Sequence, residues 1–349
     1  MRRRGEQRSW ARIWDGKRAI LDPRDSISRL PENVLNHIIS FLPTTDKKHV
    51  QFLSRKWNRV YAQSQKKLTL KGVRLNEQRF LRTLLDVFPS VEELNLEHFS
   101  GIKKLKLVNY KLKTIKLFCG SLKSLDLTTP DLEYFEFVGF RLYPCRIELG
   151  ICKSLMWGCM DNMMFADCDS SFPVLQALTL FGCDMTGDIN ISSSSLDYLA
   201  LLRFKKAVDV TIDAPNLREF EYSGSRIVTF VELNVPDLEM ATIELEPDLT
   251  EKRDEIWYRR LFGMLEDLND ADYLALVTDL DRLLIIHDRY RGTIAHPLDG
   301  FKKVVTWSTF VSKEYRKLLD TLFWLYPEAT SFATQCRQRA DANVDYDAA

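Results

Sequence analysis

The chain has 349 residues, of which 45% are hydrophobic and 28% are charged. This balance supplies enough apolar side chains for one or two cores and is too apolar for a wholly disordered chain. Lysine plus arginine total 49, as do aspartate plus glutamate, so the formal net charge is zero. A protein dedicated to nucleic acid is usually basic overall, and we expect no nucleic-acid partner.

The sequence gives no sign of a membrane or secretory segment. The longest run without a charge, residues 170–183, has 14 residues, fewer than the roughly 18 that suggest a membrane span. The first residues are rich in arginine and lack an apolar stretch, which argues against a secretory signal. Seven cysteines at irregular spacing favour a reducing compartment. We therefore expect a protein of the cytoplasm, the nucleus or both, without a membrane partner.

Charge is strongly segregated along the chain. Residues 1–18 carry seven positive and two negative charges, and we expect residues 1–24 to form a flexible basic tail, with a nuclear localisation signal as the alternative. Residues 102–123 contain seven lysines and no acid. Strand alternation would divide those lysines between two faces, which favours a solvated surface over a nucleic-acid site.

Residues 25–61 show a helical pattern. Pro31 stands where proline is tolerated, in the first turn of a helix, and Pro43 ends that helix. A second short helix follows, and Ser54 is placed to cap a third helix that carries Trp57. So small a module is marginally stable alone, which indicates either a cap on the following domain or a docking module. The apolar positions of the first helix are Val34, Leu35, Ile38, Ile39 and Leu42.

The same segment resembles the F-box of plant proteins. The matching runs are ISRLPE at 27–32, SFLPT at 40–44 and LSRKW at 53–57. The resemblance implies a three-helix F-box over residues 25–66 that docks onto the Skp adaptor of a cullin ubiquitin ligase, with cullin and RING subunits as further partners. Lys48 departs from the family, because an apolar residue is common there. The implied adaptor contacts are Leu30, Pro31, Val34, Leu35, Ile38, Ile39, Leu42, Pro43, Leu53 and Trp57, and we expect Leu30, Pro31, Leu35 and Ile38 to share one partly exposed face.

From residue 89 the pattern Leu-x-x-Leu-x-Leu recurs, with aliphatic or aromatic substitutes. Its first positions, from Val91 to Leu238, step by 20 to 23 residues, a period typical of a solenoid. A second set lies halfway between, with one member missing near residue 165, so each turn is predicted to hold two short strands on opposite faces. Proline is tolerated where a strand begins. A proline stands two residues before several of the first-set positions: Pro89, Pro130, Pro173, Pro215 and Pro236.

This pattern is similar to leucine-rich repeats, and with the F-box it resembles plant F-box proteins with leucine-rich repeats. The run APNLREFEYSG at 214–224 carries the repeat resemblance most clearly. The expected fold is α+β: a three-helix F-box, then a leucine-rich-repeat solenoid with short strands over residues 67–335 and a polar tail at 336–349. From about residue 251 we expect longer αβ repeats that close the array, with a separate small αβ domain as the alternative.

The sequence contains no recognisable set of catalytic residues. It lacks CxxC, HExxH, GxxxxGK[ST], GxSxG and GxGxxG motifs. The spacings of 7, 9 and 15 residues between Cys152, Cys159, Cys168 and Cys183 do not suit a zinc site. We therefore expect no catalytic residue, no metal and no cofactor, and a non-catalytic role.

Two functions fit these expectations. The family resemblance implies the substrate-recognition subunit of an SCF-type ubiquitin ligase, in which the F-box docks the Skp adaptor and the repeat face binds an unknown target protein for ubiquitination. The alternative is a leucine-rich-repeat interaction protein that does not assemble into a ligase. The expected target-facing residues lie between or beside the inward apolar positions of the first-set strands: Asn95, Lys116, Tyr134, Glu136, Trp157, Thr179, Tyr198, Glu219, Glu221 and Thr242.

Overall fold

The computed structural model describes two compact units. The first comprises the chain up to residue 66 together with residues 83–91, and the second comprises residues 67–82 and the chain from residue 92 onward. The predicted tails lie outside the described residues, apart from Cys336, which ends the last strand. The described residues are 27–42, 44–51, 53–75, 78–139, 145–149, 152–161, 163–164, 172–182, 188–204, 209–246, 254–278, 284–293, 297–308 and 315–336.

Three helices follow a 3-10 turn at Ile27–Arg29 in the first unit: α1 (Glu32–Phe41), α2 (Thr44–Val50) and α3 (Arg55–Ser64). Pro31 is the N-cap of α1, with φ −55° and an extended ψ of 152°, and it stands directly before the first helical residue, Glu32. The Ser54 hydroxyl accepts a hydrogen bond from the Trp57 backbone N–H at 3.3 Å and caps α3, as the sequence predicts.

The core of the first unit is a cluster of five apolar side chains. Leu35 and Ile39 lie one turn apart on α1, which places them on the same face of the helix. Each buried side chain of this size contributes roughly 1.5–3 kcal/mol to stability, so α1 is held mainly by this face. The cluster consists of Leu35, Ile39, Val50, Trp57 and Val60.

The second unit contains a long parallel sheet. Its twelve described strands lie side by side in the following order: β1 (Lys67–Lys71), β2 (Glu93–Glu97), β4 (Thr114–Cys119), β6 (Tyr134–Gly139), β8 (Trp157–Asp161), β10 (Ala177–Phe181), β12 (Tyr198–Phe204), β14 (Glu219–Gly224), β16 (Met240–Leu245), β17 (Tyr273–Thr278), β18 (Lys303–Ser308) and β19 (Ser331–Cys336).

Two smaller parallel sheets are formed by the intervening strands. One contains β3 (Lys104–Val108), β5 (Ser124–Thr128), β7 (Cys145–Leu149) and β9 (Met163–Met164), and the other contains β11 (Ile189–Ser192), β13 (Asp209–Asp213) and β15 (Thr229–Asn234). The remaining described α-helices are α4 (Gln78–Val87), α5 (Glu255–Asp267) and α6 (Tyr315–Leu325), and a second 3-10 turn lies at Asp288–Tyr290. None of the helices in the described part of the chain combines the length and apolar character needed to cross a bilayer.

Strands of the long sheet alternate along the chain with strands of the smaller sheets, which makes the second unit a β-repeat solenoid. On the long sheet, Leu96 pairs with Leu117, which pairs with Phe137, and all three are fully buried. On the first small sheet, Leu105 pairs with Leu125, and both are buried. The periodicity of the sequence predicted this solenoid, because each turn buries the same positions.

The structure adds three details to the predicted repeat pattern. The long sheet begins at β1, before the first repeat that the sequence indicates. Leu68 and Leu70 of β1 alternate as in the later strands, but the position that corresponds to the first residue of the repeat pattern is Gln65. A two-residue strand, β9, stands near the expected missing position and pairs with β7. At the other end, β17, β18 and β19 continue the long sheet in parallel, and they belong to the second unit rather than to a unit of their own.

Truncation of an inward side chain should destabilise the solenoid far more than truncation of an outward one. Leu199 is fully buried between Leu178 and Phe220 of the neighbouring strands, whereas Val231 on β15 is exposed. We expect Leu199→Ala to lower the free energy of unfolding by about 2–5 kcal/mol and Val231→Ala to lower it by less than about 0.5 kcal/mol. Urea denaturation followed by circular dichroism measures both, and equal losses would contradict the inward–outward register.

Candidate protein-interaction surfaces

Helix α1 carries a second apolar stripe beside its buried one. Val34, Ile38 and Phe41 recur at helical spacing and form this stripe, which we call the α1 stripe. Val34 is exposed, Ile38 is partly buried against the core, and the side chain of Phe41 is 75% exposed. The ring of Phe41 makes an edge-to-face contact with His37, with 4.7 Å between ring centroids. An exposed ring of this size is the kind of side chain that anchors a protein interface.

Burial divides the predicted adaptor contacts into two groups. Leu35, Ile39 and Trp57 are buried in the core of the first unit and cannot contact a partner without opening it. The expectation that Leu35 shares a partly exposed face is therefore wrong, because α1 turns this residue toward α3. Leu30, Ile38 and Leu42 are partly buried, whereas Pro31, Val34 and Leu53 are exposed; Pro43 lies outside the described residues.

Within the described residues of 27–64, the residue-by-residue expectation missed two exposed apolar side chains, Ile27 and Phe41. Phe41 follows Val34 by seven residues, which is two helical turns, so the helical period by itself places both on one face. The signal was present in the sequence, but it could not be separated from that of the buried stripe, which has the same spacing.

The second candidate surface is the outward face of the long sheet, where pairing aligns side chains in rows. The central row contains, from each strand, the outward residue that stands between the last two inward positions. The entrance row contains, from each strand, the outward residue two positions earlier in the sequence. Six predicted target-facing residues lie in the central row: Asn95, Lys116, Glu136, Thr179, Glu221 and Thr242. The other four lie in the entrance row: Tyr134, Trp157, Tyr198 and Glu219.

The same rows contain residues that the sequence analysis did not single out. Cys159 and Ala200 belong to the central row, and Ala177 and Tyr273 belong to the entrance row. The two-residue alternation of a strand places them there, so continuing that alternation through every repeat would have found them.

In the first strands of this face, acids and bases neutralise one another. The Lys116 Nζ lies 3.0 Å from the Glu136 Oε2 and 4.7 Å from the centroid of the Tyr134 ring. The Tyr134 hydroxyl donates a hydrogen bond to the same carboxylate at 3.2 Å. Burial lowers the pKa of Lys116, but the hydrogen bond and charge of Glu136 outweigh it, and the pKa is raised. Lys116 therefore stays charged and paired.

In the middle strands the arrangement is different. The Tyr198 hydroxyl donates a hydrogen bond to the Glu221 Oε2 at 2.8 Å. Burial raises the pKa of Tyr198, and the hydrogen bond to Glu221 raises it further, so the phenol remains a donor at physiological pH. Trp157 lies in the same entrance row with 51% of its surface exposed. This region offers aromatic surface and carboxylate together.

Neither surface assembles a metal-binding group from the described residues, since no three His, Cys, Asp or Glu side chains come together there. Both surfaces are suited to binding a partner. The α1 stripe offers apolar contact, and the sheet face offers mixed polar, charged and aromatic contact over many strands.

Comparison with known proteins bears on both surfaces. Residues 27–60 match the F-box domain. Three Arabidopsis thaliana proteins whose names contain "F-box/LRR-repeat protein" are similar over longer stretches. One is 24% identical over 318 residues, which is 84% of this chain and 68% of the relative. A second is 24% identical over 64% of this chain and 68% of the relative. A third is 26% identical over 75% of this chain and 66% of the relative.

Thiol reactivity should distinguish the cysteine on the outward face of the long sheet from the buried cysteines of the second unit. Cys159 is half-exposed on the outward face, whereas Cys119, Cys145 and Cys152 are buried. Burial also raises the pKa of Cys145 to about 12, so its reactive thiolate is scarce near pH 8. We expect iodoacetamide at pH 8 to alkylate Cys159 well before the other three, measured peptide by peptide by mass spectrometry. Denatured protein, in which all four should react, is the control, and equal rates in the folded protein would contradict this placement.

Proposed function

We propose that this chain, which carries an F-box domain and is similar to plant F-box/LRR-repeat proteins over most of its length, is the substrate-recognition subunit of an SCF-type cullin ubiquitin ligase. In this proposal the F-box docks the Skp adaptor, which brings the cullin and RING subunits, and the outward face of the long sheet binds a target protein. The protein would act in the cytoplasm or the nucleus.

The observation that carries the proposal is the match of residues 27–60 to the F-box domain together with the exposed α1 stripe inside it. Monomeric proteins rarely leave large apolar side chains clustered in water without a binding role. Phe41 is the most exposed large apolar side chain of the described chain. We infer that α1, α2 and α3 constitute the F-box fold and that Phe41 and Leu53 contact the adaptor.

The solenoid supports the second half of the proposal. Stacked repeats create an extended face whose outward side chains vary while the inward ones keep the fold. We infer that the segments containing α5 and α6 are longer αβ repeats that close this array. Target contacts would come from the central and entrance rows, as the sequence pattern predicts.

The role we propose is non-catalytic. The ubiquitin transfer chemistry would belong to the other subunits and to the ubiquitin-conjugating enzyme. This chain would contribute effective concentration, because holding a target beside the charged enzyme converts an intermolecular encounter into an intramolecular one.

An acidic substitution on the α1 stripe should abolish adaptor binding without unfolding the chain. Phe41 is exposed, so Phe41→Asp should leave the melting temperature nearly unchanged, but in the complex the carboxylate would be buried in an apolar contact at high cost. We expect at least a tenfold loss, about 1.4 kcal/mol, in affinity for a purified plant Skp adaptor by calorimetry. Val231→Asp, an equally drastic change on the second unit, is the matched control. Leu35→Asp is unsuitable as a test, because it places a charge in the core.

Reconstitution with purified cullin, RING and conjugating subunits separates the ligase role from the alternative. If Phe41→Asp retains full adaptor affinity, our assignment of the contact is wrong. If the unaltered chain does not bind the adaptor at all, the alternative, an interaction module outside any ligase, becomes the better interpretation.

A further inference from the structure

Charge is distributed unevenly along the outward face of the long sheet. Among the first strands, Glu93 pairs with Lys67 at 2.5 Å and Glu97 pairs with Lys71 at 3.4 Å, as Glu136 pairs with Lys116. From β8 to β16, the described residues of the central and entrance rows include two carboxylates and no lysine or arginine. In the described part of these two rows no base matches the two carboxylates, and Arg203, further along β12, lies over the Phe181 ring.

Those two carboxylates are Glu219 and Glu221, which lie two residues apart on β14. Glu219 is exposed, and Glu221 is held by the hydroxyl of Tyr198. The nearby Arg218 does not offset them, because at the strand entrance it lies 3.5 Å from Asp197 and 3.9 Å from Glu239, two further acids. Around β14, acidic side chains therefore outnumber basic ones.

Three aromatic rings of the long sheet are already covered by cations of the chain itself. Lys116 lies 4.7 Å from the Tyr134 centroid, Arg203 lies 4.8 Å from that of Phe181, and Lys303 lies 5.0 Å from that of Tyr273. Trp157 is half-exposed between them, and within the described part of the chain no cation lies over its ring. Tryptophan is the aromatic side chain that attracts a cation most strongly.

The spacing of the strands suits a single cationic side chain. Trp157 and Tyr198 occupy the same row with only Ala177 between them, so their Cα atoms are roughly 9–10 Å apart at the usual strand separation. Ala177 and Ala200 are buried although they point outward, which means that larger neighbours lie over them. A cation lying against the exposed side of the Trp157 ring would be within the roughly 6 Å range of a ring contact, on the same face as the Glu221 carboxylate held by Tyr198.

We propose that Trp157, Tyr198, Glu219 and Glu221, which we call the cation site, bind an arginine or lysine side chain from a basic segment of the target protein. The inference deepens the proposed function and rests on it, because it names the chemistry of the target. Arginine is favoured, since its planar guanidinium stacks on an indole and can bond two carboxylate oxygens at once. The lysine-paired acids of the first strands would not compete for it.

A peptide-binding assay on the full-length chain tests this proposal. The probe is a fluorescein-labelled peptide of Gly-Ser-Arg repeats, compared with the same peptide in which citrulline replaces arginine and with one in which glutamate replaces it. Citrulline keeps the planar shape and removes the charge. We expect fluorescence anisotropy to show at least tenfold tighter binding of the arginine peptide than of either comparison peptide, with an affinity that weakens as salt is raised.

Two variants localise the site. Trp157→Ala and the double variant Glu219→Gln/Glu221→Gln should each weaken binding of the arginine peptide about tenfold. Glutamine at 221 can still accept the hydrogen bond from Tyr198, so the double variant should keep the fold. Glu93→Gln, which alters an acid already paired with Lys67 on the same face, should bind like the unaltered chain. Thermal melting verifies that all variants are folded.

Equal binding of the arginine and citrulline peptides, or the absence of arginine binding up to about 1 mM peptide, would overturn the proposal. Unchanged binding by either Trp157→Ala or the double variant would overturn the assignment of the site. The assay contains no adaptor, so its failure leaves the ligase assignment standing, and a failure of adaptor binding leaves this result intact.

Discussion

Each turn of the solenoid buries its apolar side chains against the same positions of the next turn, and the rest of the second unit depends on this in-register stacking. Leu94 pairs with Ile115, and Ile115 pairs with Phe135, all fully buried. Because side chains alternate along a strand, fixing the inward rows also fixes the outward rows. The chain can therefore vary its outward residues without disturbing the core, which is the property that a recognition surface requires.

The helical unit also depends on apolar side chains, but it cannot bury all of them. A module of three short helices has little interior, so only one stripe of α1 can face α3. Leu35 and Ile39 occupy that stripe, and the neighbouring stripe, with Val34 and Phe41, remains in water. The three helices carry more apolar side chains than so small a module can bury, so one stripe of α1 stays exposed. A partner surface would cover that stripe.

Charge pairing divides the outward face of the long sheet into two regions. In the first strands, Glu93, Glu97 and Glu136 each have a lysine beside them, which lowers their attraction for an outside ion. In the middle strands, Tyr198 rather than a base holds Glu221, and a hydrogen bond to a phenol leaves the negative charge in place. The same sheet thus combines a neutral region with an acidic, aromatic one, and any preference for a basic partner would arise from that contrast.

The sequence by itself determined the repeat and the outward rows of the long sheet from β2 to β16, because the period of about 21 residues and the two-residue alternation are local properties of the chain. It did not determine β15, where the pattern places Val231 inward but a register shift leaves it exposed. It could not decide between the two stripes of α1, since Val34 and Leu35 are both apolar and both recur at helical spacing. It also did not identify β1, since Leu68 and Leu70 alternate there but Gln65 stands where the repeat pattern has its first apolar residue. Those choices belong to the tertiary structure, because burial is decided by which element packs against a face, and residues far apart in sequence supply that element.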